Sequence, residues 1–189
     1  MATTMSGEAT LPASRPKVWA LLNDPEVLKA SIPGCESLEK TGQNGFAATA
    51  KVKIGPVAAT FKGTVELTDI VPDEGYTITG EGNGGMAGFA KGGAKVKLSD
   101  AVGGGTVLRY DVEAQVGGKI AQLGSRLIDG VAKSMADKFF ANFAEAAAKA
   151  EGGAERPAQE AAAKTEGADI SKPTRKSWFR RIIEWFKSL

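Results

Sequence analysis

The sequence predicts an α+β domain: a curved antiparallel sheet of about seven strands, preceded by two short helices after its first strand and closed by one long C-terminal helix. Three observations predict it. Between Cys35 and Val116, apolar and polar residues alternate with period two and are punctuated by short Gly-, Pro- and Asp-containing turns, the pattern of a meander with one wet and one dry face. Ahead of that stretch lie two brief helical signals, each opened by a proline. Behind it, Ile120, Leu123, Leu127, Ile128, Val131, Met135, Phe139 and Phe143 recur at helical spacing, one apolar face over about thirty residues.

Taken in order, Ser6 to Leu11 is extended and stops at Pro12. Ser14 can cap a helix entered through Pro16, with Val18, Trp19, Leu21 and Leu22 as its apolar side. Asp24 caps a second short helix whose first residue is Pro25, a position where the missing N–H costs nothing. Ile32-Pro33-Gly34 ends it. The strands follow: Phe46 to Ile54, Val57 to Leu67 after Gly55-Pro56, Tyr76 to Gly82 after Pro72-Asp73-Glu74-Gly75, Lys95 to Leu98, and Leu108 to Val116 after Gly103-Gly104-Gly105. Gly117-Gly118 hands the chain to the long helix, which runs to about Ala150. Residues 1–150 form one domain on this reading.

The dry face carries small residues where a sheet packed directly on a helix needs bulk. Ala48, Ala50, Ala59, Gly63, Gly80 and Gly82 all fall there. Side chains of that size do not fill a core to ordinary density. Either the sheet bends sharply, as strand glycines allow, or space is left for a ligand. The candidate lining of such a space is Trp19 from the first helix, with Phe46, Ala48, Ala50, Ala59, Phe61, Gly63, Ile78, Gly80 and Tyr110 from the sheet. Leu127, Val131, Met135 and Phe139 join it from the long helix. Met86 and Phe89 lie in a glycine-rich loop, Asn83 to Gly93, that reads as a flap over the space, as a surface contact, or as a plain hairpin with two residues folded inward.

Composition removes several kinds of chemistry. The 189 residues include no histidine, so Ser-His and Cys-His nucleophiles and His-based zinc sites are excluded. The single cysteine, Cys35, forms no intramolecular disulfide and fits a reducing compartment. Gly82 to Ala87 matches G-x-G-x-x-A as a string, but no βαβ context surrounds it. Gly88 to Ala94 nearly spells a phosphate loop but has alanine in place of the lysine. No paired carboxylates and no metal-ligand spacing stand out, so no catalytic residue and no metal site is predicted. The first residues lack the charged and apolar regions of a signal peptide, and no apolar run reaches the roughly 20 residues of a membrane span. A cytoplasmic location is expected.

After the domain the composition shifts. Residues 151–174, rich in Ala, Glu, Gly and Pro, read as a flexible linker with a reach of about 25–30 Å. Residues 175–189 follow as an amphipathic segment. On a helical wheel, Trp178, Phe179, Ile182, Ile183, Trp185, Phe186 and Leu189 share one arc, and Lys176, Arg180, Arg181 and Lys187 lie on the other. As a helix it measures about 22 Å and is too charged to span, which is the pattern of an interfacial membrane helix. A partner's groove or the chain's own domain are the other surfaces it fits. The six basic residues and one acid of 172–189 give it a net charge of +5, and leave −3 on residues 1–171. An anionic partner suits the tail, and nothing suggests that the body binds nucleic acid.

The order of elements resembles the helix-grip fold of the START/Bet v 1-like superfamily. More narrowly, VWALLNDPEVLKASIPGCESLE (18–39), KIGPVAATFKGTVEL (53–67), GFAKGGAKVKL (88–98) and GGKIAQLGSRLIDGVAKSMADKFFANF (117–143) resemble the CoxG family of carbon monoxide dehydrogenase accessory proteins. That resemblance implies an apolar cavity between sheet and helix. It also implies an accessory role beside a soluble molybdenum hydroxylase that oxidises carbon monoxide and passes electrons to membrane quinones. It brings no catalytic residues and no covalent cofactor. The expectation is a carrier of a quinone or other isoprenoid lipid, held on the inner face of the cell membrane by its tail. The alternatives are a recruitment protein with no ligand, a general lipid-binding protein, or an enzyme built on the same fold.

Overall fold

The two-residue period of residues 35–117 folds into six consecutive antiparallel strands. In the computed structural model, which describes residues 1–152, they are β2 (Cys35–Thr41), β3 (Gly45–Ile54), β4 (Val57–Val71), β5 (Gly75–Asn83), β6 (Phe89–Asp100) and β7 (Thr106–Gly117). A seventh strand, β1 (Ala2–Leu11), pairs with β7, giving the order β1-β7-β6-β5-β4-β3-β2. Two differences from expectation concern length. β1 starts at Ala2 rather than Ser6, because its ladder with β7 runs unbroken from Ala2↔Gln115 to Leu11↔Thr106. The stretch from Asn83 to Gly93 is no loop: β5 and β6 continue into it, and only a short turn at Gly85–Ala87 separates them.

The short helices are α1 (Arg15–Leu22) and α2 (Pro25–Ser31). Ser14 occupies the cap position of α1, but its hydroxyl makes no capping bond. Asp24 does cap α2: the amides of Glu26 and Val27 donate to its Oδ1 at 2.9 and 3.4 Å. The long helix, α3 (Ser125–Gly152), begins later than its apolar periodicity suggests. Gly118 (φ +81°) and Gly124 (φ +89°) bracket a 3-10 turn over Lys119–Leu123. That turn drives Ile120 into the core without adding to α3. Left-handed φ values of this kind are costly for residues with a Cβ.

The C-terminal half of α3 is clamped. Asn142 Nδ2 donates to the Ser31 carbonyl at 3.2 Å, and Lys17 Nζ donates to the Ala150 carbonyl at 2.8 Å and lies 3.3 Å from Glu151. At the same end, the buried Thr106 hydroxyl donates to the Ala13 carbonyl at 2.8 Å and ties β7 to the β1–α1 connection. The apolar core is divided. One cluster gathers α1, α2, the far end of the sheet and Phe143 and Ala147 of α3. A second, smaller one holds Ile54, Ala87, Val116, Ile120 and Ile128 at the other end.

Candidate functional site

Register places the small residues together. On the face turned toward α3, Ala48, Gly63, Gly82 and Ala90 form one rung across four adjacent strands. Gly80, Gly92 and Ala114 continue the rung beside it, next to Val65. Seven neighbouring positions thus carry nothing larger than a methyl group. The backbone of α3 lies against α1, α2, β1 and β3 and stands further from the central strands β4 to β6. The consequence appears in burial. Six of the seven residues are only half-buried and Gly92 is exposed, although all face inward. Larger side chains on the same inner face, Val65, Ile78 and Val112, are also only half-buried, so α3 does not fill the centre of that face as it does the two ends.

The small residues differ from position to position in what a side chain would meet. A Cβ on Gly63 or Gly92 would collide with the backbone of the adjacent strand, and one on Gly80 would come within 2.8 Å of the Thr64 carbonyl oxygen. These three glycines let the strands bend and close up. Gly82 is different, since its Cβ would meet nothing nearer than the Phe61 side chain at 4.0 Å. Its missing side chain leaves room.

The predicted lining residues separate into three groups. Trp19, Phe46, Ala48, Ile78, Tyr110 and Phe139 belong to or pack against the larger cluster, whereas Ala59, Phe61 and Val131 pack against the smaller one. These form the two walls. Ala50 and Met135 are half-buried and packed into neither cluster, and Gly63 and Gly80 lie on the rungs of small residues between the walls. Aromatic contacts fix the larger wall: Trp19 lies 5.5 Å from Tyr76, Tyr110 stacks on Phe140 at 5.2 Å, and Phe139 contacts both Phe140 and Phe143. Three residues do not line the centre of the inner face. Met86 is 83% exposed, because the neighbouring Ala87 takes the inward position of the turn. Phe89 is 45% exposed, because the strand alternation that turns Ala90 inward turns Phe89 outward, where it lies against Gly117. Leu127, 37% exposed, sits over Gly55 at the start of α3. No flap is present among the described residues.

The sequence reading missed Ala90, Gly92 and Ala114. The parity of Val96 and Leu98, run back along the strand, would have found the first two. The membrane-binding residues expected in 175–189 lie outside the described residues, as does the linker after Gly152.

Chemically, the centre of the inner face offers apolar surface and little else. Among the described residues, the buried polar side chains are Ser31 and Thr106, both already hydrogen-bonded to backbone. No group of three potential metal ligands occurs there. Burial pushes the Tyr76 hydroxyl up to about 12, and it raises the Cys35 thiol against the opposing effects of the Lys29 charge and a backbone hydrogen bond with Ser37. Neither group is set up to react near neutral pH. Among the described residues, no helix is long and apolar enough to cross a membrane.

Residues 7–148 match the family of the carbon monoxide dehydrogenase G-subunit, CoxG. The chain belongs to the CoxG family. A conserved protein from Geobacillus kaustophilus has a crystal structure similar to this member, with 33% identity and a TM-score of 0.73, covering 78% of this chain and 96% of that one. Ara h 8.0201 matches at 18% identity and a TM-score of 0.54, over 79% of this chain and 99% of its own. The ZhuI aromatase/cyclase from Streptomyces sp. R1128 matches at 13% identity and 0.57, over 78% and 94%. The architecture is the helix-grip, Bet v 1-like fold. No curated protein matches this CoxG chain in sequence.

Proposed function

We propose that this CoxG protein is a membrane-tethered, non-catalytic accessory of a carbon monoxide dehydrogenase-type molybdenum hydroxylase. It holds an apolar isoprenoid ligand, a respiratory quinone, between sheet and α3, and so links the soluble enzyme to the inner face of the cell membrane. The observation that supports this most is the apolar centre of the inner face, where Ala48, Gly63, Gly82 and Ala90 share one rung and the neighbouring Val65, Ile78 and Val112 stay half-buried. An isoprenoid chain needs no polar partner, and each methylene group taken out of water contributes about 0.8 kcal/mol. Family membership supports the partner enzyme. The basic amphipathic segment 175–189 supports the tether.

The test is mass spectrometry of small molecules that co-purify with the full-length protein, together with quinone added to ligand-stripped protein. An isoprenoid recovered from wild type and lost from Gly82→Phe, which places a ring in the free space, is the expected result. Failure to recover or bind any isoprenoid overturns the carrier and leaves recruitment of the enzyme as the function.

A further inference from the structure

One end of the domain combines exposed apolar tips with charge of a single sign. The segments 51–62, 82–91 and 115–128 meet there, through the β3–β4 hairpin, the close approach of Gly88 to Gly118, and Leu127 over Gly55. They contain six basic side chains, Lys51, Lys53, Lys62, Lys91, Lys119 and Arg126, and no acidic one. All six are exposed. The N-terminus of α3 points its positive dipole end the same way. Acids border the region: Glu81 opposite Lys91 in the ladder, Glu113 diagonally across from Lys91 on the next strand, and Asp129, which accepts a hydrogen bond from Thr3. At the opposite end the sign reverses: the segment 66–75 holds Glu66, Asp69, Asp73 and Glu74 and no base.

The apolar tips of the basic end are Met86, Phe89 and Leu127. Met86 is held outward by a closed turn: Gly84 N–H donates to the Gly88 carbonyl at 2.8 Å and Gly85 N–H to Asn83 Oδ1 at 2.7 Å, while buried Ala87 anchors the turn below. An apolar tip with a basic surround is the combination that binds an anionic bilayer, the tip entering the acyl boundary and the lysines meeting headgroups.

We propose that this end of the folded domain is itself a docking surface for an anionic lipid membrane, with Met86 at its tip. This contact is separate from the one proposed for the tail.

The test uses full-length protein and co-sedimentation with vesicles of phosphatidylcholine alone or mixed with phosphatidylglycerol. Circular dichroism and the unfolding midpoint verify that each variant is folded. Met86→Asp, and separately the triple reversal Lys53→Glu/Lys119→Glu/Arg126→Glu, should each lower binding to the anionic vesicles by on the order of tenfold. Val102→Asp, at an exposed site on the opposite end, should bind as wild type. A tail variant, Trp178→Asp/Trp185→Asp, should keep a residual, salt-sensitive binding that Met86→Asp then abolishes. If Met86→Asp and the triple variant both bind like wild type, the proposal is overturned and the surface faces a protein or solvent instead. If they lose binding while the tail variant does not, the docking surface stands and the tail tether falls.

Discussion

Tyr76 shows how a single buried polar atom registers in stability. Its ring packs against Trp19 and the residue is 7% exposed, so the phenolate form is disfavoured in the folded protein and the hydroxyl is pushed up to about 12 by desolvation. The unfolded chain ionises near pH 10. The stabilising difference is therefore fully present below pH 10 and is lost as pH rises toward 12. Two pH units correspond to about 3 kcal/mol at most. Denaturant midpoints measured at pH 9 and pH 12 should fall less for Tyr76→Phe than for wild type; an equal fall places the alkaline sensitivity elsewhere. At this scale the sequence was legible wherever alternation was regular, as at Phe46 and Ile78. It misled at Met86 and Phe89, where the glycines around them disguised strand as loop and hid which face each side chain takes.

Among elements, the central strands owe their close approach to particular glycines. Gly63 and Gly92 have a neighbouring strand's backbone where a Cβ would go, but Gly82 does not. Gly63→Ala and Gly92→Ala should each cost about 1–3 kcal/mol, the usual penalty of forced overpacking. Gly82→Ala should be close to neutral, since replacing glycine at an unstrained position also narrows the unfolded ensemble. Chemical denaturation of the three variants separates them; equal losses would mean that the glycines share one role. The sequence marked Gly63, Gly80 and Gly82 as small residues on the dry face and could not say which were bent and which were open, because that depends on the neighbouring strand. The onset of α3 was hidden for a related reason. Ile120 and Leu123 keep the helical spacing of the residues after Ser125, and only the positive φ at Gly118 and Gly124 shows that they belong to a separate turn.

At the scale of the whole molecule, a mildly acidic body with one basic end is joined by residues 151–174 to a basic segment. Ending the chain after Lys172 should release most of the protein from membranes in a cell fractionation, leaving the salt-sensitive fraction that the basic end retains; unchanged pelleting would sink the tether. The strand–helix–meander–helix order was legible from periodicity alone. The unfilled centre of the inner face was legible only as an alternative, since side-chain volume does not say whether a sheet closes over its own glycines. The divided core has one more consequence. α3 is fastened to α1 and α2 at its C-terminal half by Asn142 and Lys17, while its other half rests on the smaller cluster. The two halves of α3 are thus held by unlike means, hydrogen bonds to the short helices at one end and the burial of Ile128 at the other. Each half can open locally on its own free energy, so hydrogen exchange along α3 should fall into two blocks rather than one.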